Sequence, residues 1–289
     1  MRFAVMADIH GNLLALEAVL DDIENEAVDG IIIAGDLSGG PEMVETIRRI
    51  RSLEAWVIRG NNEEYFFRYQ NGTAPDAWRT TSQWAPMRWL YQQLDDEIFD
   101  YLRALPEQQV IPLDGKIAIR VVHGSPRSSS EQIHPDSDPS ILHQALDQID
   151  ESVMVCGHTH LPWKRIYKEQ LAVNPGAVCG PLNGFIGAQY ALLTWHRQRW
   201  EVEHRAIPYD MQRLRASFYE SGFLTEGGTF ARALLYTIES GRNVAREFLI
   251  YARRLATEAG FQGFDAVPDV IWEQATLSFD WTPYEVRLN

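Results

Sequence analysis

Short apolar runs closed by glycine-rich polar turns organise the first 160 residues. Phe3–Ala7 leads into Asp8-Ile9-His10, and Gly30–Ala34 into Gly35-Asp36. Ala55–Arg59 leads into Gly60-Asn61-Asn62-Glu63, Ile117–Val122 into His123-Gly124, and Val153–Cys156 into Gly157-His158-Thr159-His160. Runs of this length, ended by glycine, read as buried strands. Between the first three the period turns helical. Asn12 reads as an N-cap, with Leu13, Leu16, Val19, Leu20 and Ile23 on one face. Pro41, after Gly39-Gly40, reads as the first turn of a helix carrying Met43, Val44, Ile47 and Ile50. Strand–helix alternation with short links predicts parallel strands and right-handed crossovers.

Residues 63–109 differ. Ten aromatics crowd the segment between Tyr65 and Tyr101, and from Trp84 onward Met87, Leu90, Leu94, Ile98, Leu102 and Leu105 recur at helical steps until Pro106. The aromatics read first as packing residues. A rim that stacks on a substrate ring is the sharper alternative, suggested by their place just after Asn61-Asn62. From 110 to 205 strands and turns dominate: a hairpin signal at Leu113-Asp114-Gly115-Lys116, a polar loop over 125–139, then runs at Trp163–Tyr167, Gln170–Val173, Tyr190–Trp195 and Arg199–His204. These four runs read as antiparallel strands of a second sheet. From Tyr209 the pattern becomes amphipathic helix: Leu214, Phe218 and Phe223 begin it, and residues 231–259 continue it, with Gly241 dividing two helices. Residues 260–289 show no period. The expected fold class is α/β: a four-layer α-β-β-α sandwich of two mixed sheets over 1–208, with 63–109 as a helical insert and 209–289 as a helical extension.

The strand ends carry the candidate chemistry. Ligands of open α/β sheets collect at the carboxyl ends of the strands. Five runs that each end in Asp, Asn or His are hard to explain by packing. In extended backbone His158 and His160, two apart, would face one point. Singly, each residue has a plainer reading: Asp8 or Asp36 as a helix cap, Asn61 as a turn residue, His123 as a satisfied core histidine. The ordered set resists those readings because all must hold at once. His134, His143, His196 and His204 stand in no motif and read as surface or packing residues.

The set Asp8-x-His10, Gly35-Asp36, Gly60-Asn61, His123 and Gly157-His158-x-His160 resembles the calcineurin-like metallophosphoesterase superfamily, and within it the small bacterial and archaeal phosphodiesterase-type members. Asn174-Pro175-Gly176-Ala177-Val178 and Pro208-Tyr209-Asp210 are similar to that subgroup too. The resemblance implies two divalent metal ions (Mn, Fe, Zn or Ni). One would be held by Asp8, His10, Asp36 and His160, the other by Asp36, Asn61, His123 and His158, with Asp36 as the bridge. It further implies in-line attack on phosphorus by a hydroxide shared between the metals, in small phosphodiesters or phosphomonoesters, nucleotide-derived ones among them. One position departs from the pattern. Many members carry His after Gly-Asn, on the leaving-group side, where this chain has Asn62. An amide donates a hydrogen bond but delivers no proton. That favours esters with good leaving groups, or proton delivery by water, Glu63 or Glu64. Arg127 could reach a substrate phosphate, although a solvated loop arginine is the plainer reading. The rival class is a non-catalytic, metal-binding scaffold for protein interaction, the role of the retromer subunit of this fold. Loss among the seven ligands would favour it, and all seven are present.

Charge narrows the partners. With 40 acidic against 26 basic residues the net charge is −14, which repels nucleic-acid backbones and argues against a duplex-binding protein. Small phosphate esters stay open, since bound cations reverse the local field. Two cysteines make no disulfide framework. Met1-Arg2-Phe3 runs straight into the first strand, and no stretch approaches a membrane span. A cytoplasmic protein is expected, with no membrane contact and with the C-terminal helices serving as substrate lid or homo-oligomer face.

Overall fold

The computed structural model describes residues 1–113 and 118–285. The chain begins β1 (Arg2–Met6), α1 (Leu13–Ile23), β2 (Gly30–Ala34), α2 (Met43–Arg51) and β3 (Ala55–Ile58), with β1–β2 and β2–β3 parallel. Asn12 caps α1: its side-chain oxygen accepts from the Ala15 amide, satisfying an otherwise orphaned donor of the first turn. Pro41 lies outside its helix, because Glu42 is the N-cap and α2 starts at Met43.

The aromatic segment folds as α3 (Asn61–Gln70), α4 (Ala77–Thr80), α5 (Ala85–Gln93) and α6 (Asp96–Ala104). Trp78 stacks on Trp84 with ring centroids 4.0 Å apart, and Tyr65 meets both edge-on. Packing therefore employs most of these rings.

Next come β4 (Gln108–Ile111), β5 (Ile119–Val122), α7 (Pro139–Leu146), β6 (Val153–Val155), β7 (Pro162–Tyr167) and β8 (Gln170–Pro175), forming a sheet in the order β4-β5-β6-β8-β7. β4 and β5 pair antiparallel, while the turn expected at Asp114-Gly115-Lys116 lies outside the described residues. α7 is capped by Asp138 and buries Leu142, Ala145 and Leu146. It is only eight residues long, too short for its period to stand out beside the polar loop.

β9 (Ala188–His196) and β10 (Arg199–Ile207) correct the reading of one antiparallel second sheet. They belong to the first sheet, whose order is β10-β9-β1-β2-β3, with β9 antiparallel to β1. Ala188 to Leu193 are buried without alternation, as a strand covered on both faces requires. Alternation or its absence reveals a strand, not its neighbour.

Phe3, Val5, Ile32 and Ile58 of the first sheet meet Ile119, Val121, Val153 and Val173 of the second in one buried cluster. Helices α1 and α2 cover the outer face of the first sheet and α7 that of the second, so the layers are helix, sheet, sheet, helix. The chain ends in α8 (Met211–Glu220), α9 (Phe223–Ser240), α10 (Val244–Glu258) and α11 (Asp269–Ser278). Gly241, at φ 66°, separates α9 from α10. Within α9 the helix breaks at Gly228 (φ 60°, ψ −142°), a conformation reserved almost wholly for glycine. α11 corrects the aperiodic reading of 260–289: Ile271, Trp272 and Ala275 pack on Phe248, Ala252 and Ala256. Leu214, Phe218 and Phe223 share the cluster on the outer face of the first sheet, and Trp89 of α5 lies 5.0 Å from Phe223 between ring centroids.

Candidate metal centre

Asp8 and His10 follow β1, Asp36 follows β2, and Asn61 and Asn62 open α3 directly after β3. His123 follows β5, and His158 and His160 follow β6. Both sheets thus contribute, so the site lies where their carboxyl ends meet rather than along one sheet edge. Two groups form: Asp8, His10 and His160, and Asp36, His123 and His158, each with ligand atoms within 4.8 Å of one another. The groups adjoin. Asp8 Oδ1 is 3.5 Å from His160 Nε2 and 3.8 Å from His123 Nε2, and Asp36 Oδ2 is 3.8 Å from His10 Nε2. Asn61 Oδ1 lies 3.1 Å from His123 Nε2.

The backbone here is sharply bent. Asp8, His10, Asp36, His158 and His160 all have φ between 46° and 67°. A non-glycine residue held there costs on the order of 1 kcal/mol, and such strain gathers at functional sites. This geometry corrects the extended reading of His158 and His160: both are left-handed, and they serve different groups. Close approach also fixes a glycine. A Cβ on Gly60 would lie 2.1 Å from Asp36 Oδ1.

Three imidazoles are oriented from behind. The Nδ1 atoms of His10, His123 and His160 lie 3.2, 2.7 and 2.9 Å from the carbonyl oxygens of Ser38, Ala34 and Gly180. With Nδ1–H donating, the Nε2 lone pairs of His10 and His160 face inward 3.0 Å apart, and His123 Nε2 points at Asp36 Oδ1, 3.3 Å away. His158 Nε2 is buried without a hydrogen-bond partner. Convergent lone pairs and an orphaned nitrogen are unfavourable unless a cation fills the space. The carboxylates are held as well. Asp36 accepts from the Asn62 amide N–H at 3.0 Å and from Asn62 Nδ2 at 2.6 Å, and Asp8 accepts from the His158 N–H at 3.0 Å.

Two residues of the sequence motifs act as braces rather than as candidate ligands. The fully buried Glu63 accepts from Ser38 N at 2.8 Å, Ser38 Oγ at 2.5 Å and Gly60 N at 2.7 Å, tying the loop after β2 to the start of α3. Glutamate at the third helical position after a strand-end glycine, the capping-box place, was the available signal. Asn174 Nδ2 donates to Gly157 O at 2.6 Å and to Thr159 Oγ1 at 3.2 Å, bracing the turn that carries both histidines.

Electrostatically the centre sets two buried carboxylates against a single protonated imidazole, His123. Burial pushes Asp8 up to about 6 despite His123 beside it. Burial acts on Asp36 in the same direction, but the His123 charge and hydrogen bond outweigh it and hold Asp36 well below the carboxylate range. For His123, burial opposes protonation, yet Asp36 and Asp8 drive its pKa up to about 10. Burial, then the His123 charge, press His158 down to about 4, and burial lowers His10 and His160. Imidazole, carboxylate and amide oxygen together suit first-row divalent ions. Both cysteines are buried and free, and burial raises their pKa, so neither offers a thiolate.

Other candidates stand elsewhere. Arg127 is committed to Glu131 of its own loop at 2.5 and 2.9 Å and to the Ile141 carbonyl of α7 at 3.2 Å. His143 stacks on Tyr167, His204 Nε2 lies 2.9 Å from Asn174 O, His134 lies 3.1 Å from Gln132 Oε1, and His196 is exposed. From His10, Asn62, His158 and His160 a cavity of about 500 Å³ extends outward between the aromatic insert and the C-terminal helices. Among the described residues no helix is long and apolar enough to cross a membrane.

Comparison with known proteins agrees with this architecture. Residues 1–198 match the calcineurin-like phosphoesterase superfamily domain. The crystal structure of a metallophosphoesterase from Sphaerobacter thermophilus superposes with a TM-score of 0.62 at 27% identity, covering 78% of this chain and 98% of that one. Hypothetical protein PH1004 from Pyrococcus horikoshii OT3 shares the fold at a TM-score of 0.67 and 23% identity, over 83% of this chain and 98% of its own. Uncharacterized protein MJ0912 of Methanocaldococcus jannaschii is 25% identical over 237 residues, 73% of this chain and 88% of that protein.

Proposed function

Because the chain belongs to the calcineurin-like phosphoesterase superfamily, we propose that it hydrolyses small phosphodiesters or phosphomonoesters with two divalent cations drawn from Mn, Fe, Zn and Ni. One observation carries this reading: two adjoining carboxylate–imidazole groups whose ring nitrogens are locked from behind and converge. The residues present fit such ions. Asp8, His10 and His160 would hold one and His123, His158 and Asn61 the other, with Asp36 between them. Bound there, the cations would act as Lewis acids that draw charge from phosphoryl oxygens and acidify water.

The chain's own groups do the rest. Asn62 fixes both oxygens of Asp36 and also faces the cavity, so it orients a ligand and donates a hydrogen bond toward the leaving-group side. Glu63 and Glu64 are poor proton donors to substrate. The first is enclosed by Ser38 and Gly60, and the second is paired with Arg59 at 2.5 Å. Solvent is then the proton source, and esters of acidic alcohols are the favoured substrates. The test is hydrolysis of bis-p-nitrophenyl phosphate and p-nitrophenyl phosphate by protein of measured metal content. Turnover should vanish on chelation, return with Mn²⁺ and be lost in Asp36→Asn. Inactivity toward both esters with every divalent ion at full occupancy would defeat the proposal and leave a scaffold role.

A further inference from the structure

We propose that the cavity beside the metal centre binds the apolar ester group that stays on phosphorus while a more acidic alcohol departs, so that the substrate carries an extended alkyl or similar hydrocarbon group rather than a nucleoside. This rests on the phosphoesterase reading above and narrows its substrate class. At its inner end the cavity is polar, where Asn62, His10 and His160 face it. Beyond them the wall changes character. Phe66, Trp84 and Met87 of the insert form one side, and Phe230, Leu234 and Leu249 of α9 and α10 the other. Trp84, Phe230, Leu234 and Leu249 are only partly covered by the rest of the protein, although each sits among apolar neighbours.

Four polar side chains line this outer stretch, Gln83, Thr237, Asn243 and the exposed Arg253, and the first three already take part in hydrogen bonds. Gln83 Oε1 accepts from the Val267 N–H at 2.9 Å, and Thr237 Oγ1 accepts from the Ala245 N–H at 3.0 Å while donating to the Ala233 carbonyl at 2.9 Å. A sugar and base placed here would surrender hydration for few replacements, chiefly Arg253 at the outer edge, a penalty that sites built for nucleosides avoid. Hydrocarbon has the opposite balance. Burying each methylene contributes up to about fourfold in affinity, and a volume of about 500 Å³ is within the range of ligand sites. The two walls come from the insert and from the C-terminal helices, the segments that depart from a plain sandwich. They meet where Trp89 packs on Phe223.

The experiment is calorimetric titration of the Mn²⁺-loaded full chain with methyl-, butyl- and octylphosphonate and with thymidine 5′-phosphate. Hydrolysis of methyl, butyl and octyl p-nitrophenyl phosphates is measured in parallel. Octylphosphonate should bind roughly tenfold or more tighter than butylphosphonate, and thymidine 5′-phosphate no better than the methyl compound. Phe230→Ala and, separately, Leu249→Gln should flatten the dependence on chain length. A flat series in the wild type, tighter binding of the nucleotide, or failure of every phosphonate to bind would overturn the proposal. Turnover of all three diesters with a flat series would do so while leaving the hydrolase intact. A steep binding series without turnover would uphold the apolar site and instead defeat the hydrolase.

Discussion

Asp36 is the side chain on which the centre's order most depends. It stands between the two groups, and the backbone and amide of Asn62 fix its oxygens. Removing the amide in Asn62→Ala should lower metal affinity or kcat/KM by roughly 10- to 100-fold, the usual effect of losing a group that orients a ligand. Competition against a chromogenic chelator measures it. His123 supports a second prediction. Without cations its pKa of about 10 keeps it protonated at neutral pH, held so by Asp36 and Asp8. As a ligand it must be neutral, so metal binding expels that proton. Affinity should therefore climb with pH between 7 and 9, by up to about tenfold per unit. Titration in buffers of different ionisation enthalpy should register proton release. Affinity independent of pH over that range would contradict the assignment.

At the scale of elements, the sharp turns at strand ends do the positioning, and Glu63 links two of them. Glu63→Ala would strand the Ser38 N–H, the Ser38 hydroxyl and the Gly60 N–H. At about 1–3 kcal/mol for each buried unsatisfied group, stability should fall by about 3 kcal/mol or more, read from the urea midpoint. Glu63→Gln, which keeps an acceptor, should lose less. How legible such features were depended on their range. β1, β2, β3, β5 and β6 and the residues beyond them were readable, because a run of apolar residues cut off by Gly-Asp or Gly-His is a local pattern. The pairing of β9 with β1 was not, since it joins residues such as Phe3 and Leu193 that no local pattern relates. α7 and α11 are short and half covered, so their period was weak. Backbone acceptors such as Ala34 O and Gly180 O left no trace, because any residue supplies a carbonyl. The left-handed turns at His158 and His160 were hidden because neither residue announces that conformation.

For the whole molecule, the seven candidate ligands divide between the layers. Asp8, His10, Asp36 and Asn61 come from the first sheet, and His123, His158 and His160 from the second. Cations held by both would tie stability to metal supply. At a free concentration 100 times Kd, binding contributes about 2.7 kcal/mol against unfolding, so chelation should lower Tm and added Mn²⁺ should raise it. Asp36→Asn should respond far less. An equal Tm with and without metal would argue against cations spanning the sheets.

The break at Gly228 shapes one wall of the cavity. Phe223 and Phe230, on either side of it, both line the cavity, and a Cβ at Gly228 would meet no atom within 4 Å. Crowding therefore does not require glycine here; torsion alone does. The short segment before the joint is anchored by the buried Phe223, packed on Trp89 and Phe218, and the longer segment after it is docked on α10. The set of this wall thus hangs on a single torsion, and Gly228→Ala, which would force φ away from 60°, is expected to weaken octylphosphonate binding, read by calorimetric titration.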